Sequence, residues 1–128
     1  MTDQNIKPTQ SEFEILQVLW KLGPSTVKRV NEALNEKKPK GYTTTLKIMQ
    51  IMAEKALVTR VLDGKFHIYT ASHKELQVKK TLVSNIVDQV FEGAAMELVI
   101  QTLGNYKPSP LEIIELKELI AQYEKTKN

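Results

Sequence analysis

Apolar residues recur along this chain with two different periods, and the places where the period changes divide it. From Gln10 to Leu22, the residues Phe13, Ile15, Leu16, Val18, Leu19, Trp20 and Leu22 wrap most of a helical circumference. They leave a thin polar stripe at Glu14, Gln17 and Lys21, the pattern of a well buried helix. Thr9 followed by Glu12 fits a capping box that would start this helix. Gly23-Pro24 would end it, because Gly accepts the left-handed conformation and Pro cannot extend a hydrogen-bonded helix. Ser25 is placed to cap a second helix, Thr26 to about Asn35, with Val27, Val30 and Leu34 on one face and Lys28, Arg29, Glu32 and Glu36 on the other. After the basic loop Lys37-Lys38-Pro39-Lys40-Gly41, a third helix is expected from about Thr43 to Lys55. Thr45, Ile48, Met49 and Met52 point inward; Tyr42, Thr43, Thr44, Lys47, Gln50 and Glu54 lie nearer the opposite side, and Leu46 and Ile51 sit at the margins.

The period then shortens. Leu57 to Leu62 and Lys65 to Thr70 are rich in β-branched and aromatic residues, and Asp63-Gly64 between them is a two-residue hairpin signal. Three helices and a hairpin in this order predict a winged helix-turn-helix. In that fold the third helix enters the major groove of DNA while the helix before it braces against the backbone.

Beyond Ala71 the pattern is purely helical. Ser72 and Glu75 fit a second capping box opening a helix that reaches Glu92, with Leu76, Val83, Ile86, Val87, Val90 and Phe91 as its apolar side and Gly93 interrupting it. Ala94 to Leu103 follows, carrying Met96, Leu98, Val99, Ile100 and Leu103. Ser109-Pro110 with Glu112 starts a last helix, in which Ile113, Leu116, Ile120 and Tyr123 recur with 3-4-3 spacing and Leu111, Ile114 and Leu119 widen the stripe. Faces this apolar need a second surface, and the usual one is another copy of the chain. The expected fold is therefore mainly α: a winged-helix DNA-binding domain over residues 1–71, then a helical dimerisation domain over 72–128. The dimer surface is assigned to Leu76, Val83, Val87, Val90, Phe91, Leu98, Ile113, Leu116, Ile120 and Tyr123.

Charge follows the same division. The net charge is +3, but residues 1–70 hold 11 Lys and Arg against 7 Asp and Glu, and residues 71–128 hold 7 against 8. A basic N-terminal half suits phosphate neutralisation, though ordinary soluble surfaces carry such a bias too. With no cysteine and two isolated histidines, His67 and His73, the chain lacks thiolate metal ligands and a convincing His-based site. No cofactor or metal is expected. No apolar run approaches the ~20 residues of a membrane span, and MTDQNIKPTQ has no apolar leader core, so a cytoplasmic protein without membrane insertion is expected. No histidine lies beside a nucleophile motif and no Gly-rich phosphate loop exists, which argues against an enzyme.

Glu14-Ile-Leu-Gln-Val-Leu-Trp20-Lys-Leu-Gly-Pro24-Ser-Thr-Val-Lys-Arg-Val30, Tyr42-Thr-Thr-Thr-Leu46, Glu54-Lys-Ala-Leu-Val58, Gly64-Lys65 and Tyr69 together resemble the penicillinase repressor family, the BlaI, MecI and CopY type. The resemblance covers nearly the whole chain. It implies a homodimeric winged-helix repressor of bacterial genes that grips a two-fold symmetric operator in double-stranded DNA, one recognition helix per half-site, with interlocked C-terminal helices. It also brings a membrane sensor protease as a candidate partner, because the best known members are cut in the first dimerisation helix at an Asn-Phe pair. The matching segment here is Leu98-Val99-Ile100-Gln101-Thr102; a small hydroxyl at Thr102 replaces the aromatic, which argues against that cleavage at Gln101-Thr102. The copper-sensing branch uses C-terminal cysteines, which this chain lacks. Ala56 stands where many members have Gly after the recognition helix; an alanine held at φ > 0 costs about 1 kcal/mol, so a differently built helix end is expected.

Within this reading Thr43 and Thr44 anchor phosphate at a helix N-terminus and Lys47 contacts a base edge or phosphate; the plainer alternative is a cap and a solvated lysine. Gln50, one turn on, is placed to read adenine or to face water. Arg60, Lys65 and His67 on the hairpin could clamp the backbone, Lys65 foremost because the turn projects it, or form the ordinary charged face of an edge hairpin. Tyr42 either stacks on sugar-phosphate or plugs the core. Trp20, Met49 and Met52 read as packing, and Lys37, Lys38 and Lys40 as nonspecific attraction. The alternative function is a winged-helix protein-interaction adaptor without specific DNA binding.

Overall fold

The structure, a computed structural model, describes residues 6–126, so the first five residues of the polar N-terminal stretch lie outside the described residues. The elements run α1 (Gln10–Leu22), α2 (Val27–Asn35), α3 (Tyr42–Glu54), β1 (Val58–Asp63), β2 (Phe66–Ala71), α4 (Glu75–Val90), α5 (Ala95–Gly104) and α6 (Pro110–Lys125). Three helices followed by an antiparallel hairpin form the winged helix that the periodicity anticipates. The chain divides into two compact units, residues 1–85 and 86–128.

In the first unit α1 begins as its sequence dictates. The Thr9 hydroxyl accepts the Glu12 N–H, and the Glu12 carboxylate accepts the Thr9 N–H at 2.9 Å. The helix ends at Gly23, whose φ of +83° is the conformation glycine tolerates best. Ser25 does not cap α2; Thr26 does, its hydroxyl accepting the Arg29 N–H at 3.2 Å. Ser25 instead exchanges two backbone hydrogen bonds with Tyr69, at 3.0 and 2.8 Å, and is buried. A polar residue two places before a helix satisfied the capping pattern, but its backbone is taken by β2.

Met49, Met52 and Thr45 on the inner face of α3 are fully buried, with Ile15, Leu16 and Leu19 of α1, Val30 of α2, Val58 and Tyr69 of the hairpin and Val78 of α4 in the same core. Trp20 packs at its edge, half-buried, its indole N–H donating to the His73 carbonyl at 2.9 Å and its ring meeting Phe13 edge-on at 5.7 Å. The end of α3 corrects an expectation. Ala56 adopts φ +64°, the Leu57 N–H bonds the Met52 carbonyl at 2.9 Å and the Ala56 N–H bonds the Ala53 carbonyl at 3.1 Å. This is the Schellman closure usually built on glycine, made here with an alanine in the left-handed region, so the helix end is not built differently after all.

The hairpin pairs Val58 with Ala71 through Asp63 with Phe66, leaving Gly64-Lys65 as the two-residue loop rather than Asp63-Gly64. Gly64 has φ +67° and Lys65 has no positive φ; a left-handed first position alone is the type II′ pattern, which fixes the register one residue later.

α4 starts at Glu75, so Ser72 lies outside its cap, and the Ser72 N–H donates instead to the Leu57 carbonyl at 3.0 Å. Its end comes two residues before Glu92, which itself adopts φ +51°. In the second unit α6 opens with the anticipated capping box of Ser109 and Glu112 and with Pro110 in its first turn. Neither α5 nor α6 contains a buried residue.

Candidate nucleic-acid interface

Burying Thr45, Met49 and Met52 leaves the other side of α3 in solvent. Tyr42, Thr43, Thr44, Lys47, Gln50 and Glu54 are all exposed; Thr43, Lys47, Gln50 and Glu54 recur on one face of the helix, and Tyr42 and Thr44 flank that face in its first turn. Tyr42 is 46% exposed, which removes the core-plug alternative. The helix starts at Gly41 with no side-chain cap; the first amide to find an intrahelical partner is that of Thr45, bonding the Gly41 carbonyl at 3.2 Å. A first turn of this kind presents backbone donors and the positive end of the helix dipole beside Thr43 and Thr44.

On the hairpin Lys65 occupies the exposed turn itself. Arg60 is exposed but not loose: its Nη1 donates to the buried Tyr69 hydroxyl at 3.2 Å, and the His67 ring stands edge-on to Tyr69 at 6.3 Å. Among the loop lysines, Lys40 is half-buried and faces Glu14 at 3.8 Å, which partly neutralises it, whereas Lys37 and Lys38 are exposed.

Two features had no local signal in the sequence. Lys55, just past α3, reaches both carboxylate oxygens of Glu12 at 2.8 and 2.9 Å, so a capping residue of α1 also ties down the far end of the helix that faces solvent. Asn31 and Asn35 of α2 bond the backbone of Lys40 ahead of α3. Asn31 in the middle of a short helix, where its propensity is poor, with Asn35 at that helix's last position, was the available hint.

The residues assigned to a dimer surface keep their apolar side chains in solvent. Leu76, Val83, Val90, Ile113, Ile120 and Tyr123 are exposed, and Val87, Phe91, Leu98 and Leu116 are partly covered. Gln101 and Thr102 are exposed within α5, and the Thr102 hydroxyl donates to the Leu98 carbonyl at 2.7 Å. Among the described residues no group of three or more His, Cys, Asp or Glu could hold a metal ion, and no helix is long and apolar enough to cross a membrane.

Among solved structures the chain is similar to a MarR family protein from Bacillus stearothermophilus, with 20% identity and a TM-score of 0.50 over 98% of this chain and 79% of that one. It is also similar to the transcriptional regulator Tm0710 from Thermotoga maritima, with 16% identity and a TM-score of 0.52 over 92% and 78%. These likenesses concern the fold. Over 90 residues the chain is 27% identical to the transcriptional regulator BlaI of Mycobacterium tuberculosis, a match covering 70% of this chain and 65% of that protein's length. The penicillinase repressor family matches residues 8–122, from the cap of α1 through most of α6, so winged helix and C-terminal helices are matched together and the chain belongs to that family.

Proposed function

We propose that the chain is a DNA-binding transcriptional repressor that acts as a homodimer on a two-fold symmetric operator. The observation that carries this reading is the exposed side of α3: a polar row of Thr43, Lys47 and Gln50, flanked by exposed Tyr42 and Thr44 in the first turn and backed by fully buried Thr45, Met49 and Met52. Thr43, Thr44 and the uncapped first turn suit phosphate oxygens. Lys47 and Gln50 suit base edges in the major groove, where lysine reaches guanine acceptors and glutamine pairs with adenine. Lys65 and the braced Arg60 suit the backbone alongside. The reading assigns no catalytic step, cofactor or metal to the protein and places it in the cytoplasm.

One such domain makes few contacts and binds weakly. A dimer holding two α3 helices one or two turns of DNA apart makes the second engagement intramolecular, which raises affinity by orders of magnitude without any new contact. Whatever separates the protomers then releases DNA. Cleavage by a membrane sensor protease at Gln101-Thr102 is disfavoured as that trigger, since the bond lies in a helix and lacks the aromatic residue.

Selection of duplexes by the full chain from a randomised pool tests the function. The expected product is a palindrome bound with a steep inverse dependence on salt. An unenriched pool, together with no retardation of the chain's own promoter region, would sink the repressor and favour the protein-interaction adaptor.

A further inference from the structure

The turn entering α3 is clasped by two asparagines one helical turn apart on α2. Asn35 engages the Lys40 backbone as a neighbouring strand would: its Oδ1 accepts the Lys40 N–H at 3.0 Å and its Nδ2 donates to the Lys40 carbonyl at 2.9 Å. The same Nδ2 donates to the Asn31 carbonyl at 2.8 Å. Asn31 Nδ2 donates to the Lys40 carbonyl at 3.0 Å and to Thr45 Oγ1 at 2.8 Å. A primary amide has two N–H donors and a carbonyl oxygen two lone pairs. Both donors of each asparagine and both lone pairs of the Lys40 oxygen are therefore occupied.

This arrangement is more than a turn needs. Asn31, in the middle of the nine-residue α2, costs that helix about 0.5 kcal/mol relative to alanine, and Asn35 is its last residue. What they hold is the start of α3, which has no side-chain cap of its own at Gly41. Through Thr45, fully buried on the inner side, Asn31 also reaches the first turn of α3 directly. Thr43 and Thr44 lie on that turn and Lys47 follows one turn later.

We propose that Asn31 and Asn35 are positioning residues for DNA recognition, fixing where α3 begins and how its exposed face is aimed. The proposal rests on the DNA-binding reading above. Base-edge hydrogen bonds weaken steeply with misplacement, whereas attraction to phosphate tolerates it. Loosening the clasp therefore lowers discrimination between sequences more than total attraction.

The experiment uses a duplex enriched by the wild-type full chain from a randomised pool and a scrambled duplex of equal length. Affinity for both is measured for wild type, Asn31→Ala and Thr45→Val over the same series of salt concentrations, at a temperature where circular dichroism shows each protein folded. The selected-to-scrambled ratio is expected to fall about tenfold in Asn31→Ala and about threefold in the near-isosteric Thr45→Val. Affinity for the scrambled duplex and its salt slope stay at the wild-type values. A wild-type ratio in folded Asn31→Ala overturns the positioning role, and so does an equal loss on both duplexes. Should Asn31→Ala not fold, the same two outcomes in Thr45→Val decide. If the wild type enriches no duplex, the DNA-binding reading itself falls and takes the positioning role with it, a result distinct from any behaviour of the variants.

Discussion

At Ala56 a single methyl group stands in a conformation that suits glycine. The left-handed region brings an L-residue's Cβ toward its own carbonyl oxygen, at a cost of about 1–2 kcal/mol, yet φ there is +64° because both Schellman hydrogen bonds require it. Ala56→Gly should raise stability by about 0.5–1 kcal/mol, the relief of strain being partly offset by the greater freedom of glycine in the unfolded chain. Urea denaturation reads this as a higher midpoint at constant slope; an unchanged or lower midpoint would show that the strain is absorbed elsewhere. Gly23→Ala, at φ +83° at the end of α1, should move the midpoint the other way. Lys47 tests the exposed face of α3 rather than its end. Lys47→Ala should weaken binding to a selected duplex by roughly 1–3 kcal/mol if the ammonium reads a base. Equal losses on selected and random DNA would reduce it to a phosphate contact.

Among the elements, α1 and α3 are joined where their sequences give no hint of it. Glu12 is 4% exposed and serves two purposes, accepting the Thr9 N–H and both contacts from Lys55. Glu12→Gln keeps the capping acceptor and removes the charge, and the half-exposed Lys55 can turn to water, so the expected loss is about 1–2 kcal/mol rather than that of a wholly buried pair. A double-mutant cycle with Lys55→Met isolates the pair; a coupling energy of zero would mean that the cap alone matters. At the start of α6, Glu112 accepts the Ser109 N–H and the Tyr106 hydroxyl, and these bonds, the Ser109 amide foremost, hold its carboxyl below the usual range. A lowered folded pKa gives a contribution that is complete above the unfolded value and lost as pH falls through the folded one. Acidification should therefore loosen the first turn of α6, and Glu112→Gln should flatten that part of the acid titration followed by amide exchange. Caps such as Thr9 with Glu12 and Ser109 with Glu112 were legible because every partner lies within three residues, and the faces of α3 were legible because they need only a period. Ser25 as a strand partner of Tyr69, the Glu12–Lys55 link and the asparagine clasp were not, because their partners are set by the tertiary fold. The hairpin loop missed by one residue for a smaller reason: Gly64 sits first in its turn instead of second.

For the molecule as a whole, the decisive fact is that neither α5 nor α6 contains a buried residue. Val90 is 66% exposed and Ile120 57%, amid a series of leucines, isoleucines and valines on the same three helices. Each such side chain gains about 1.5–3 kcal/mol on full burial, so their summed exposure favours association, and a second copy offers an equally apolar, self-complementary surface. If association is what brings two α3 helices to one operator, dimer stability and DNA affinity are linked quantities. Val90→Asp or Ile120→Asp places a charge on the apolar surface that the proposed dimer would bury and touches no residue assigned to DNA. Each variant should sediment as a monomer and lose binding to the palindromic operator, while its weak affinity for random duplex, a property of one winged helix, persists. Raising the protein concentration should restore operator binding to wild type below its dimerisation constant but not to the Asp variants in the same range. A variant that stays monomeric and still binds the operator as tightly as wild type would refute the link, and would mean that one winged helix alone supplies the affinity.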